Sequence, residues 1–225
     1  MARRTRLAFN TTVGTKVLIA LTGLALVGFL LFHLYGNLLL FFGGAKYNEH
    51  AHALISNPLV IPAELGLIAL FLLHAVKAVL NYFANRAARG TSYEVKKWAG
   101  GPSRKSWGSV TMIFSGIVIF VFVPLHLVTF KYGPFYTAHE PGVRDLYRLL
   151  IEVFQSPFYT AYYTVAMIIV GLHVRHGVAS SLQSLGLIPA AWTRMVLAAC
   201  YAVALAIGAG FVLIPVYIYL FVRPA

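Results

Sequence analysis

Five apolar stretches dominate this chain. They run at about 15–42, 62–85, 108–131, 158–182 and 191–221, and each meets the roughly 20 residues a helix needs to cross the hydrocarbon core of a bilayer. In lipid every backbone N–H and C=O must be satisfied within the protein, which leaves only helices and closed barrels. These runs are too long and too continuously apolar for the alternating ten-residue strands of a barrel. The expected fold is therefore all-α, an integral membrane protein whose five transmembrane helices form one domain over residues 1–225. Of the residues, 60% are hydrophobic and 11% charged, against about 25% charged in soluble domains. That balance excludes a water-soluble enzyme, and equally a disordered chain. The first stretch is too long for a cleaved signal peptide and has no convincing small-residue cleavage site. The single cysteine, Cys200, cannot alone form a disulfide, an iron–sulfur cluster or a zinc ribbon.

The net charge of +12 could suggest nucleic acid, but its distribution points to membrane topology instead. The N-terminus with the second and fourth connections carries Arg3, Arg4, Arg6, Lys16, Arg86, Arg89, Lys96, Lys97, Arg104, Lys105, Arg175 and Arg194 against one acid, Glu94. On the other side Lys46, Lys131, Arg144, Arg148 and Arg223 balance Glu49, Glu64, Glu140, Asp145 and Glu152. The positive-inside rule then places the N-terminus in the cytoplasm and the C-terminus outside. The basic face is read as topology with attraction to anionic membrane lipid; a docking surface for a soluble partner is the sharper alternative. No sequence repeat stands out. The long outer connection, about 132–157, contains an amphipathic stretch around Val143 to Phe154 that suits a short interfacial helix.

Ionisable residues at membrane depth are costly and by default functional. His33, His74, His126 and His173 fall one in each of the first four spans. A lone histidine can serve helix packing, but four distributed in this way are hard to explain so. His33 and His126 lie in the outer half of their spans, and His74 and His173 near the middle or slightly inward. At 1.5 Å rise per residue the two pairs should differ in depth by roughly 10 Å. Neutral imidazole is a good iron ligand, and cofactor sites in bundles are built between facing helices. The pattern therefore suits two stacked hemes, each with two axial histidines. His176 lies three residues beyond His173, which is deeper and better matched to His74 and so is the expected ligand. His50, His52 and His139 lie in outer segments and are expected to be solvated or interfacial.

Several neighbours fit either a site or ordinary helix packing. Gly23, Gly28, Gly36, Gly171 and Gly177 remove bulk where a macrocycle would approach the backbone, though small residues also serve helix contacts. Lys77, Arg175 and His176 lie just inward of the inner histidines. They can pair with heme propionates, or the cations can snorkel to the interface. Pro124, two residues before His126, can bend the third span and redirect that ligand.

On these residues the chain resembles a known family, the single-chain diheme cytochrome b membrane anchor of succinate dehydrogenases and fumarate reductases, the B type of complex II. The likeness runs through nearly the whole sequence: KVLIALTGLALVGFLLFHLYGNLLLF with His33, KYNEHAHAL, LLHAVKAVLNYFANRAARG with His74, SGIVIFVFVPLHLVTFKYG with His126, and GLHVRHGVASSLQSLG with His173. The resemblance implies that the first four helices bundle around two stacked hemes. His33 and His126 would hold the distal heme b, and His74 and His173 the proximal one. It implies that flavoprotein and iron–sulfur subunits dock on the cytoplasmic face in a bacterial inner membrane. Electrons from succinate would then pass to a quinone, commonly menaquinone, with the dicarboxylate chemistry in a partner. In some fumarate reductases of this group an acid in a proposed proton path stands two positions before the span-four histidine. Here that position is Gly171, so no such path is carried over.

Glu64, near the outer start of the second span, is either a proton-handling acid near a quinone or a solvated carboxylate favoured by the helix dipole. Asn37, one turn from His33, could hydrogen-bond heme, quinone or a neighbouring helix. The rival readings are the diheme anchor of a nitrate reductase, formate dehydrogenase or hydrogenase, and a heme-free proton-conducting protein whose histidines form a relay. Anchors of the nitrate reductase type concentrate their histidines on two helices, unlike this chain.

Overall fold

The structure, a computed structural model, describes residues 11–87, 107–138 and 142–222. The expectations for Arg3, Arg4, Arg6, Arg89, Glu94, Lys96, Lys97, Arg104, Lys105, His139, Glu140 and Arg223 lie outside these residues. Seven α-helices follow in order: α1 (Thr12–Leu38), α2 (Gly44–Ile55), α3 (Val60–Ala87), α4 (Trp107–His126), α5 (Leu146–Gln155), α6 (Pro157–Ser184) and α7 (Thr193–Phe221). Five are long and apolar enough to cross a membrane: α1 with its continuation to Phe42, α3, α4 with its continuation to Lys131, α6, and α7. They coincide with the five apolar stretches to within a few residues. The described residues contain no strand, only an isolated bridge between Thr137 and Arg144.

The long helices start and bend where their sequences dictate. Thr11 caps α1 by accepting the Gly14 N–H at 3.0 Å. Pro157 occupies the first turn of α6, where its missing N–H costs nothing. Pro124 sits inside α4, and directly after His126 the chain relaxes into a π-helical turn over Leu127–Lys131. The proline leaves the Phe120 carbonyl without its helical donor, which bends the span before His126, while the π turn is a separate widening after it.

The buried core lies between α1, α4, α6 and α7, with Ile207 and Ile218 of α7 fully buried and Ala166, Met167, Val170 and Val174 lining α6. The tightest approach joins α6 to α7. A Cβ on Gly171 would meet Gly208 Cα at 3.1 Å, so the two backbones touch. Gly171 therefore serves helix contact and not the interior of the four-helix bundle. Over the 28 residues of α3 none is buried; this helix leans chiefly on α1 and barely meets α4.

One end of the bundle is capped by α2 and α5. Helix α5 turns Leu149, Leu150, Ile151 and Phe154 onto the core, as the amphipathic stretch predicts. Asn48 of α2 clasps its first turn. Its amide donates to Asp145 Oδ1 at 2.7 Å, and its carbonyl accepts the Tyr147 N–H at 2.9 Å, while Asp145 caps Arg148 N at 2.9 Å. All three ion pairs among the described residues lie at this capped end: Lys46–Glu49, Lys131–Glu64 and Arg148–Glu152. Six of the ten charges counted on this side are thus paired, while Arg144 binds carbonyls and Asp145 binds Asn48 and the Arg148 N–H. At the opposite, basic end, no ion pair among the described residues involves Lys16, Arg86, Arg175 or Arg194.

Arg144 closes the connection that follows the π turn. Its guanidinium donates to the carbonyls of Lys131 (3.0 Å), Gly133 (3.2 Å) and Pro134 (3.0 Å), and it lies 5.5 Å over the Phe135 ring. Hydrogen bonds from a charged donor contribute about 1.5–3 kcal/mol each. Arg144→Ala is therefore expected to destabilise this connection by about 2 kcal/mol locally. Limited proteolysis should then cut between residues 132 and 138 many times faster than in the wild type. Unchanged cleavage would show that the clamp is incidental.

Candidate functional site

Of the four histidines expected at membrane depth, His33 and His126 meet directly, while His74 and His173 are each set against a hydroxyl and a glycine of a neighbouring helix. Nearer the capped end, His33 of α1 and His126 of α4 meet with ring centroids 5.8 Å apart and planes at 83°. Each is stacked on a phenylalanine one turn earlier in its own helix, Phe29 on His33 at 5.4 Å and Phe122 on His126 at 5.6 Å. Phe211 of α7 and Tyr163 of α6 close the layer, at 5.7 Å from His33 and 6.0 Å from His126. The phenol oxygen of Tyr163 reaches His126 Nδ1 only at 3.5 Å.

Nearer the basic end, His74 of α3 inserts against Thr22 and Gly23 of α1. Its Nδ1 lies 3.1 Å from Thr22 Oγ1, and its Cε1 would be 3.1 Å from a Cβ on Gly23. A side chain at position 23 would push this imidazole away. His173 of α6 inserts likewise against Ser115 and Gly116 of α4, with Nδ1 2.9 Å from Ser115 Oγ and Cε1 3.7 Å from a Cβ on Gly116. A Cβ on Gly23 would also stand 3.7 Å from Ser181 Oγ of α6, so His74 sits where α1 meets the helix that carries His173. On α1 the two layers are marked by Gly23 and His33, and on α4 by Gly116 and His126. Ten residues separate the marks on both helices, which is about 15 Å along the axis.

The other expected site residues are more scattered. Asn37 donates to the backbone carbonyl of His33 at 2.9 Å, and its Nδ2 also stands 3.4 Å from His33 Nε2. Its Oδ1 accepts from the Tyr47 hydroxyl at 3.4 Å. Burial pushes the Tyr47 phenol up to about 12, so it stays a donor. Glu64 is paired with Lys131, tying the start of α3 to the end of the π turn. Lys77 lies one turn from His74 and is half-buried. Arg175 is exposed on the face of α6 opposite His173, 4.8 Å over the Tyr201 ring of α7, whereas His176 is half-buried on the His173 side. His50, expected to be solvated or interfacial, is half-buried on α2 at the capped end. Its Nε2 is buried without a partner and would sit 3.0 Å from a Cβ on Gly36. Of the other glycines singled out in the sequence, Gly28 and Gly177 have nothing within 4 Å of an added Cβ.

Sequence reasoning passed over Thr22, Ser115, Gly116 and Tyr163. A signal for the first three does exist. Thr22–His33, TGLALVGFLLFH, and Ser115–His126, SGIVIFVFVPLH, share hydroxyl, Gly, Phe and His at identical spacing. The segments after them also match, LHAVKAV at 73–79 and LHVRHGV at 172–178 sharing Leu, His and a final Val in register. The expectation of no repeat is thus corrected: a two-helix unit, α1 with α3, recurs as α4 with α6. Each layer takes one histidine from each unit.

Among the described residues no three of His, Cys, Asp and Glu gather where they could hold a metal ion by themselves. The arrangement offers instead one pair of touching imidazoles, His33 and His126, and two more, His74 and His173, held by hydroxyls nearer the basic end, all in an apolar bundle. Comparison with protein-family models, with curated proteins and with solved structures gives no match to this chain.

Proposed function

We propose that the chain is the diheme cytochrome b membrane anchor of a succinate:quinone oxidoreductase, carrying electrons from an iron–sulfur partner subunit to a quinone. The observation that supports it most is the meeting of His33 with His126 across α1 and α4, with His74 and His173 held in matching hydroxyl–glycine notches nearer the basic end. The donor set fits heme b. A porphyrin supplies four of the iron's six ligands, so two neutral imidazoles from facing helices complete the sphere, and no third protein ligand is needed. His33 and His126 would hold one heme and His74 and His173 the other. Bound there, heme iron supplies one-electron transfer at two depths of the membrane.

The chain's own residues supply the surroundings. Phe29, Phe122, Phe130, Phe211 and Tyr163 make the capped-end layer apolar and exclude water. Lys77 and His176 stand nearest the basic-end layer and are the candidates to meet propionates. The basic end, with cations that find no acidic partner among the described residues, fits the cytoplasmic side by the positive-inside rule. It also fits a surface that receives the iron–sulfur and flavoprotein subunits of a bacterial inner-membrane complex. Glu64 and Asn37 lie toward the capped end and are the candidates for the neighbourhood of a quinone, most simply menaquinone.

The test is a heme count on the purified membrane complex, followed by its visible spectrum after addition of succinate. Two b-type hemes per chain, both reduced by succinate, are expected. Two hemes that respond to nitrate-, formate- or hydrogen-linked donors but not to succinate would keep the bundle and move the activity to another quinone-linked enzyme. No heme would refute the ligand assignment.

A further inference from the structure

The basic-end layer holds a feature that two bis-imidazole sites do not by themselves require. Thr22 and Ser115 stand at equivalent places of the repeated unit, immediately before Gly23 and Gly116 and eleven residues before His33 and His126. Eleven residues are three helical turns, so hydroxyl and capped-end histidine share one face of their helix. Each hydroxyl touches the Nδ1 of the histidine contributed by the other helix of its unit, at 3.1 Å for Thr22 and His74 and at 2.9 Å for Ser115 and His173.

Both hydroxyls have their proton committed elsewhere. Thr22 Oγ1 donates to the Leu18 carbonyl at 2.8 Å, with Ile19 O at 3.1 Å, and Ser115 Oγ donates to the Met112 carbonyl at 3.0 Å. A carbonyl oxygen can only accept, and a hydroxyl has one proton to give. If the hydroxyl donated to the imidazole, its contact with the carbonyl would set two acceptors against each other. Only one assignment makes every contact a hydrogen bond: the hydroxyl donates to its own helix and accepts from Nδ1–H. The proton of each imidazole is then on Nδ1, and Nε2 carries a free lone pair. Neither relation holds at the capped-end layer. There the nearest hydroxyl stands 3.5 Å from His126 Nδ1, and His33 has an amide near Nε2.

We infer that Thr22 and Ser115 are positioning residues, which lock His74 and His173 in the Nδ1–H tautomer and present both Nε2 lone pairs to one shared iron. This rests on the diheme reading above and deepens it. Hydrogen bonding from the second nitrogen fixes ring orientation and raises ligand basicity. A more basic ligand favours oxidised over reduced iron, so the lock lowers the potential of the heme it serves.

The experiment is a redox titration of the purified holo-complex carrying Thr22→Val or Ser115→Ala, each paired with a hydroxyl-retaining control, Thr22→Ser or Ser115→Thr. The heme concerned is identified as the one whose band disappears in His74→Ala. Removing either hydroxyl is expected to weaken the preference for oxidised iron about tenfold, a rise of about 59 mV for a one-electron couple. The other heme and both controls stay at the wild-type potential, and the low-spin electron paramagnetic resonance signal of the shifted heme changes with it. Potentials unmoved in both Val and Ala variants overturn the inference. So does an equal shift in the hydroxyl-retaining controls, which would report packing alone. A wild-type complex without heme would be recognised before any variant is made, and that result would fall on the proposed function itself.

Discussion

With two hemes bound as proposed, alanine at His74 and alanine at His173 are expected to remove the same one, and alanine at His33 or His126 the other. Each single variant should therefore retain one heme of two. The reason is the proposed pairing, in which each heme takes one histidine from each two-helix unit and ten residues of α1 and of α4 separate the two levels. A heme held there would keep a single protein ligand once either imidazole of its pair is removed; among the described residues His176, half-buried on the His173 side, is the one neighbouring imidazole that could stand in, so His173→Ala is read beside His173→Ala with His176→Ala. The doubles discriminate more sharply than the singles. Residues acting on one site are non-additive, and residues on separate sites add. His74→Ala with His173→Ala should thus still leave one heme, whereas His33→Ala with His173→Ala should leave none. A pyridine hemochrome assay against protein concentration reads both. If His33→Ala and His74→Ala, the two from a single unit, removed the same heme, the pairing across units would be wrong.

Depth was legible in the sequence, and azimuth was not. Hydropathy and the 1.5 Å rise locate a residue along a membrane helix, which is why the five spans and the two levels of histidine could be read. Which way a residue faces is read in soluble proteins from the polar stripe of an amphipathic helix. A helix apolar all round carries no such stripe. Arg175 accordingly looked like a neighbour of His173 but lies across the helix on Tyr201, and Gly171 looked like interior space but is the seam with Gly208. Helix α2 was hidden for a different reason. GAKYNEHAHALI is too polar to read as a span, and the clasp of Asn48 on Asp145 and Tyr147 joins residues nearly a hundred positions apart. Thr22 and Ser115 were passed over because a hydroxyl in an apolar helix is unremarkable until its partner is known. Their shared spacing to His33 and His126 was nevertheless present in the sequence.

The seam between α6 and α7 should be the most sensitive apolar position in the protein. Helices in lipid associate largely by packing and interhelical hydrogen bonds, without a hydrophobic force between them, so small residues that let backbones touch carry much of the association at an apolar seam. An added Cβ at Gly171 or Gly208 meets the opposing Cα at 3.1 Å, and a backbone atom cannot swing aside as a side chain can. Gly171→Ala should therefore part the helices by a few tenths of an ångström, and Gly171→Leu should force them apart. The leucine variant is expected to cost about 3 kcal/mol, the upper end of ordinary overpacking. Gly177 lies on the same helix with nothing within 4 Å of its Cβ, and there the gain in helix propensity from alanine, up to about 1 kcal/mol, is unopposed. The two alanine variants should thus move in opposite directions in a denaturation series with sodium dodecyl sulfate followed by circular dichroism, Gly171→Ala unfolding earlier than wild type and Gly177→Ala later. Equal midpoints for the pair would mean that the contact of α6 with α7 tolerates a methyl group, and that Ile207, Phe211 and Ile218 hold the fifth span without the seam.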